Sequence, residues 1–301
     1  MSENEELEPH ISGMSVLEEI DALWDYNDPS ASERTFQRVL HGPNANNAEF
    51  RAQVLTQIAR CQILQRRMDD GHATLDQAAQ IVSDQTPIAH IRYWLERGRA
   101  WNDSGRVADA TAAFVEAFQR AEAVNSDLLC VDAAHMLGVM PPYDMAMIWN
   151  QRAIAIAQRS ADSRARRWTG TLFMNMGVNH QHLQQYPQAE SAFVSALSAF
   201  EQIENSARVR LAKLCLSKNL RLSGELEKAL SKSSTLLLEI QSESEPPGYA
   251  FEEIAECLLA MGRNEESAPI FAQAYAALSA YPWFPPNENE RLLRMKRLGG
   301  M

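Results

Sequence analysis

The sequence has few cysteines, a deficit of basic residues and no long apolar run, and each shortage excludes a class of protein. Four cysteines in 301 residues are too few for a disulfide-stapled scaffold. Lysine and arginine number 28 against 39 aspartates and glutamates, so the net charge of −11 argues against a general nucleic-acid binder. No apolar run approaches the ~20 residues of a membrane span, and the acidic start MSENEELEPHISG lacks a signal-peptide layout. We therefore expect a cytoplasmic protein that binds neither nucleic acid nor membrane.

Catalytic and metal-binding motifs are also missing. No Gly-rich phosphate loop, H-E-x-x-H or G-x-S-x-G segment occurs in the chain. His180 and His182 are two residues apart, so on a helix they would point in different directions. The widely separated cysteines are interpreted as reduced, mostly buried apolar residues on helices: Cys61, Cys130, Cys215 and Cys257. The sequence therefore predicts no catalytic residue, no metal site and no cofactor.

An internal repeat is present instead, in a chain whose 46% hydrophobic content is enough to bury a large core. Three stretches place a small residue, an aromatic residue four positions later and an alanine three positions after that. They are Ala110-Phe114-Ala117, Ala189-Phe193-Ala196 and Ser267-Phe271-Ala274. Weaker copies fit the same frame. Spacings of three, four and seven mark one face of a helix, so each stretch predicts a packed α-helix.

A second series, mostly of small residues, lies about twelve positions earlier and sets the period. Its members are Ile20, Ala59, Gly98, Gly138, Gly177, Ser217 and Ala255. Successive members are 39, 39, 40, 39, 40 and 38 residues apart. A small residue at a crossing point allows two helix axes to approach to about 8–10 Å. Glycines 71, 105, 224 and 262 lie between the two series and are expected to supply the positive φ of a helix C-terminal cap. Each unit is therefore predicted as a helix A, a tight turn and a helix B.

These units resemble tetratricopeptide (TPR) repeats, whose helix A carries two aromatics around a glycine and whose helix B carries an aromatic between two alanines. The best match is Trp94, Gly98, Trp101, Ala110, Phe114 and Ala117. The resemblance covers about residues 15–280 and implies an all-α, right-handed superhelix of about seven helix pairs with a C-terminal capping helix. The period near 40 residues resembles elongated TPR variants. HEAT and armadillo repeats share that period, but the Gly-to-Ala spacing of twelve favours TPR.

The predicted domain organisation has a short segment at each end. Residues 1–13 are predicted to be a disordered acidic tail, 14–284 the TPR-like solenoid, and 285–301 a capping helix and tail. Trp283 and Phe284 are expected to dock on the last helix pair. The segments HGPNANNAEF from His41 and SESEPPGYA from Ser242 are predicted to be loops.

Two irregular segments lie near the middle of the chain. Pro141 and Pro142 are expected to shorten helix A of the fourth pair by about one turn. The resulting gap is interpreted as filled by nearby methionines, and a notch lined by Tyr143 is the alternative. The arginine-rich run RSADSRARRW from Arg159 is interpreted as a solvated turn rather than a phosphate or nucleic-acid patch.

In TPR proteins the concave wall is built mainly from A helices, and the resemblance assigns that role to particular positions of this chain. Basic residues at these positions, in a chain of charge −11, favour an acidic or C-terminal-carboxylate segment as the ligand. The predicted peptide-binding groove comprises Arg60, Arg99, Asn102, His135, Tyr143, Met174, Gln181, Lys218 and Arg221. The carboxylate clamp of TPR co-chaperones is not predicted, because its lysine and asparagine positions are not matched.

The predicted function is a non-catalytic scaffold or adaptor that holds an extended peptide or a partner helix in this groove. A regulatory sensor that binds a small peptide or metabolite is one alternative, and an enzyme with a site between helices is another. Since Arg99 is placed on the surface of the groove, Arg99→Glu is expected to weaken an acidic partner with little change in melting temperature.

Overall fold

A computed structural model describes residues 15–242, 247–280 and 288–301, and within these ranges every regular element is a helix. The predicted acidic tail at 1–13 lies outside the described residues, as do Trp283 and Phe284. The chain forms two compact units, of which the first ends at Met140 and the second begins at Pro141. The all-α prediction is confirmed.

The described part of the first unit contains seven helices, and from α2 to α7 each packs against the next. They are α1 (Val16–Asp21), α2 (Pro29–Leu40), α3 (Ala48–Leu64), α4 (Met68–Ala79), α5 (Pro87–Asp103), α6 (Val107–Ala123) and α7 (Asp127–Gly138). The A helices α1, α3, α5 and α7 also contact one another in that order, so they form one continuous face.

The described part of the second unit contains nine helices. They are α8 (Tyr143–Arg159), α9 (Ser163–Arg166), α10 (Thr169–His182), α11 (Tyr186–Gln202), α12 (Ser206–Leu222), α13 (Leu226–Ser242), α14 (Gly248–Ala260), α15 (Asn264–Ser279) and α16 (Asn289–Leu298). With the one-turn α9 set apart, α1 to α15 follow the seven predicted A–B pairs along the chain. The final α16 packs on α15 and buries Met295 against Phe271 and Leu278, as a capping helix does.

The repeat anchors form the core of both units. Phe114 and Phe193 are fully buried, as are the alanines three and four positions from each. A Cβ added to Gly98 would lie 2.6 Å from the Phe114 ring, and one added to Gly177 would lie 2.3 Å from the Phe193 ring. The small residue on helix A therefore leaves the space that the aromatic of helix B fills, as predicted.

The turn prediction is confirmed at three glycines and is wrong at the fourth. Gly105, Gly224 and Gly262 have φ of 76°, 90° and 76°, respectively. Gly71 instead lies within α4, where it packs against Ile63. The corresponding turn is made by Arg66, with φ of 64°, because α3 ends at Leu64 and α4 begins before the glycine.

Gly105→Ala is expected to lower the free energy of unfolding by about 1–2 kcal/mol, because an L-residue pays a steric penalty at positive φ. An added Cβ would meet no atom within 4 Å, so the change isolates the backbone effect. Urea unfolding followed by circular dichroism measures it. Arg66→Gly is the matched variant and should raise the free energy of unfolding by a similar amount, because it removes the steric penalty that Arg66 pays at positive φ. An unchanged free energy in Gly105→Ala would contradict the conformational argument.

The irregular segments differ in part from their predictions. Helix α7 has 12 residues where α5 has 17, which confirms the shortened helix A before the prolines. The predicted loop from His41 ends early, because Asn47 caps α3 by accepting a hydrogen bond from the Phe50 amide at 3.0 Å. The loop predicted over residues 242–250 extends too far, because α14 begins at Gly248.

Candidate functional site

The A-helix face of the first unit carries a chain of ion pairs that joins α3, α5 and α7. Arg60 lies 3.2 Å from Glu96, and Arg99 lies 2.5 Å from both Glu96 and Asp132. These four residues are called the first-unit ladder below. The side chains of Arg99 and Glu96 are only 12% and 4% exposed. Each arginine thus binds a carboxylate on the next A helix along the chain.

The pKa values within the ladder reflect this pairing. Burial alone would raise the pKa of the Asp132 carboxyl, but the charge and hydrogen bond of Arg99 hold it below its usual range. Burial likewise opposes ionisation of Arg99, and Asp132 and Glu96 outweigh it, so the pKa of Arg99 is raised. Both groups are therefore charged at neutral pH and hold each other in place.

The first-unit face is consequently balanced in charge. Besides the ladder, Arg92 of α5 donates to the Asp21 carboxylate at the end of α1. Three arginines thus face three carboxylates, and no net positive stripe results. The placement of Arg99 on the groove surface is wrong, because Arg99 is a buried member of this network, and the structure instead predicts that Arg99→Glu lowers the melting temperature.

The remaining predicted residues of the first unit flank the ladder. Asn102 is half-buried near the end of α5, and His135 is half-buried on α7 near Asp132. An aromatic pair lies at the other end of the unit. Trp24 stacks on Tyr26 with ring centroids 4.9 Å apart, and its indole nitrogen donates to Gln57 at 2.9 Å.

In the second unit, an open cavity of about 460 Å³ lies between α12, α14 and α16. We call it the terminal cavity. Its lining residues are Leu211, Leu214, Cys215, Lys218, Arg221, Tyr249, Glu252, Glu253, Glu256, Glu288 and Arg291. The cavity therefore brings the predicted Lys218 and Arg221 together with four carboxylates and an arginine of the capping helix.

Most charges of the terminal cavity are paired. Arg221 donates to both carboxylate oxygens of Glu253, at 2.7 and 3.0 Å. Burial raises the pKa of Glu253 and outweighs the opposing effect of Arg221. Arg291 of the capping helix similarly donates to both oxygens of Glu252, at 2.6 and 2.5 Å. These forked contacts fix the carboxylates against the cavity wall.

Lys218 differs from these neighbours. Its side chain is exposed at the terminal cavity, and it forms no ion pair or hydrogen bond with any described residue. Its charge nevertheless acts on the adjacent Glu253 and Cys215. A lysine on an A helix beside apolar surface is thus left available to a ligand.

The other predicted residues of the second unit have partners in the protein. Tyr143 stacks on His182 with centroids 4.1 Å apart, and Gln181 donates to Asn219 at 3.2 Å. Met174 is buried in the core around Phe193 and presents little surface. Only Lys218 and Arg221 of the five line the terminal cavity.

The groove prediction omitted three carboxylates that pair with its arginines, namely Glu96, Asp132 and Glu253. Glu96 and Glu253 each lie two positions before the small residue of their own repeat, at Gly98 and Ala255. That shared register is a sequence signal for an acid facing the preceding A helix. Asp132 occupies a different register, so the same signal would not have found it.

The surroundings of three cysteine thiols favour the protonated form. Burial raises the pKa of Cys61 and Cys257 to about 12 and that of Cys215 to about 11. A thiolate nucleophile needs the opposite shift.

Among the described residues no group of three or more His, Cys, Asp or Glu side chains is arranged to hold a metal ion. Within the same ranges, no helix is both long and apolar enough to span a membrane.

The sequence matches no protein-family model and no curated protein. Solved structures do match. A STAND ATPase with a tetratricopeptide repeat sensor from Pyrococcus horikoshii has a TM-score of 0.66 at 15% identity, over 94% of this chain and 43% of that one. This chain therefore spans less than half of that protein. A TPR protein from Parabacteroides merdae has a TM-score of 0.59 at 14% identity, over 95% of this chain and 98% of that one.

NprR, in a crystal structure with its cognate peptide NprX, has a TM-score of 0.59 at 14% identity, over 94% of this chain and 81% of that one. At sequence identities of 14–15%, the structural similarity establishes the fold alone. The chain has a TPR-like helical-repeat fold, which confirms the predicted resemblance.

Proposed function

We propose that the chain is a protein-interaction scaffold whose A helices hold an extended peptide segment or a helix of a partner protein. The observation that carries this proposal is the terminal cavity, where a lysine that pairs with none of the described residues adjoins apolar side chains. Leu211, Leu214 and Tyr249 would cover apolar groups of the ligand, and Lys218 would pair with a carboxylate. That carboxylate belongs to an acidic side chain or to a peptide C-terminus.

The proposed contact surface extends along the A helices of each unit. In the first unit it comprises Arg60, Arg99, Asn102 and His135. In the second unit it comprises Gln181, Lys218 and Arg221 on A helices and Tyr143 at the start of α8, whereas the predicted Met174 is buried in the core and does not belong to it. The balanced charges of the first-unit ladder favour a ligand segment with charges of both signs. Lys218 favours an acidic group on the segment that reaches the terminal cavity.

The proposed role is non-catalytic. Burial keeps the thiols of Cys61, Cys215 and Cys257 protonated at neutral pH, which disfavours nucleophilic chemistry. The glutamates of the terminal cavity that lie on α14 are each engaged by an arginine. A cytoplasmic location remains a prediction from the sequence.

A sensor is the second candidate, and two fold neighbours favour it. NprR was crystallised with its cognate peptide, and the P. horikoshii protein is described as having a TPR sensor. A sensor would bind the same class of ligand and then change conformation. Hydrogen exchange of the full chain with and without a bound peptide separates the two roles, because a scaffold gains protection only where the peptide lies.

The binding test titrates a library of fluorescent peptides with free C-terminal carboxylates into the full chain. For peptides that bind, Lys218→Glu should raise Kd by about tenfold or more, because a charge-assisted contact becomes a repulsion. Lys228→Glu is the matched control, since Lys228 is exposed, pairs with Glu225 within its own turn and does not line the cavity. Equal Kd values in both variants would reject the terminal cavity as the site. Failure of every peptide to bind would reject the proposed function.

A further inference from the structure

A second cavity, of about 470 Å³, lies in the second unit among the end of α8, the α9–α10 segment and the end of α11. We call it the arginine cavity. Its lining residues are Gln158, Ser163, Arg166, Arg167, Thr169, Gly170, Ala199, Gln202 and Ile203. It shares no residue with the terminal cavity. The described residues that line it include two arginines, four uncharged polar side chains and no carboxylate.

The fold builds this cavity by breaking a helix A. The segment RSADSRARRW runs from Arg159, the last residue of α8, through the short α9 to Trp168, the N-cap of α10, instead of forming one continuous helix. At Gly170 an added Cβ would lie 2.5 Å from the Phe200 ring, so α10 sits close against α11. The interpretation of this run as a solvated turn is therefore incomplete, because part of it lines a cavity.

Arg166 is held by two hydrogen bonds to backbone carbonyls and keeps further N–H donors available. One of its terminal nitrogens donates to the carbonyl oxygens of Ser160 and Ala161, at 2.8 and 2.7 Å. These bonds hold the guanidinium in place. Its Nε and second terminal nitrogen have no partner among the described residues. A fixed guanidinium with free N–H groups loses little side-chain entropy when it binds an anion.

Arg167 supplies the second charge. Its guanidinium is exposed and forms no ion pair or hydrogen bond with any described residue. The nearest acid in the sequence, Asp162, is already bound by Arg164 at 2.8 Å. The charges of Arg166 and Arg167 thus remain uncompensated within the described part of a protein whose net charge is −11.

We propose that the arginine cavity binds a phosphate monoester. A dianionic phosphate offers three oxygens, which two guanidinium forks match better than any single carboxylate does. Ser163 and the amides of Gln158 and Gln202 supply further donors around the anion. The cavity is larger than a phosphate group, so it also admits part of the molecule that carries the phosphate. A phosphorylated side chain of a partner protein and a small phosphorylated metabolite both present this chemistry.

The test measures binding to the full chain by isothermal titration calorimetry. The probes are inorganic phosphate, acetyl-Gly-phosphoserine-Gly-amide, the same peptide without phosphate and a single-stranded oligonucleotide. We expect saturable binding of inorganic phosphate and of the phosphopeptide, and no binding of the unphosphorylated peptide. Tighter binding of the phosphopeptide identifies a partner side chain as the source, and equal or tighter binding of inorganic phosphate identifies a small free compound.

Variants of the exposed arginine locate the site. Arg167→Gln should weaken phosphate binding about tenfold or more through loss of a charge-assisted contact, and Arg167→Lys should weaken it less. Arg38→Gln, at an exposed arginine of the first unit, should leave binding unchanged. Melting curves confirm that each variant is folded. No saturable binding by the wild-type chain, equal binding by Arg167→Gln, or preference for a single-stranded oligonucleotide over both phosphate probes would overturn the proposal.

Discussion

Arg99→Glu is expected to destabilise the chain by about 3–5 kcal/mol or more. The substitution leaves Asp132 without its arginine and Glu96 with Arg60 alone in a mostly buried setting, and it adds a third negative charge between them. Breaking a buried ion pair by removing one partner has this effect because the remaining charge stays desolvated. Guanidinium or urea unfolding, followed by circular dichroism, gives the free energy of unfolding.

Two further variants separate the buried network from charge in general. Arg106→Glu makes the same chemical change at an exposed pair with Asp109 and should alter stability by less than about 1 kcal/mol. The double variant Arg99→Met/Asp132→Leu removes both members of one pair and should recover part of the loss. If Arg99→Glu were no more destabilising than Arg106→Glu, the ladder would have no structural role.

Phe193→Ala is expected to lower the free energy of unfolding by about 3–5 kcal/mol. The ring is fully buried and lies against Gly177 and the core alanines of its pair, so its loss leaves a cavity between α10 and α11. Val194→Ala changes the next residue, which is half exposed, and should have an effect within about 0.5 kcal/mol. Equal effects of the two substitutions would contradict the assigned core.

A double-mutant cycle tests the contact between the glycine and the ring directly. Gly177→Ala alone should cost about 1–3 kcal/mol, because its Cβ would lie 2.3 Å from a ring atom of Phe193. In the Phe193→Ala background the same substitution should cost much less, since the obstructing ring is gone. Additive effects of the two changes would show that the small residue does not accommodate this aromatic.

The helix pairs and their core were predictable because the information is local and repeated. Phe114 and Ala117 are three residues apart on one helix face, and that spacing alone predicts their burial. Gly98 recurs in register with Gly177, which predicts a close crossing at each. The missed turn at Arg66 has a local cause as well, because a non-glycine residue there adopts the conformation that the pattern assigned to Gly71.

The candidate sites were predictable only in part. The A-helix register placed Lys218 and Arg221 on one wall, and the structure puts both in the terminal cavity. The same register placed Arg99 in a basic groove, but it does not specify which side chain of the next A helix lies opposite. Asp132, 33 residues away, takes that position and cancels the charge.

The sequence by itself determined the class of fold, the number of helix pairs and the residues of the core, because burial follows from periodic spacing along each helix. Tertiary packing decided which charges remain available. Neutralisation depends on the rotation and offset of neighbouring helices, which bring together residues 32 to 39 positions apart. That geometry buries Arg99 between two acids and leaves Lys218 and Arg167 free of partners among the described residues.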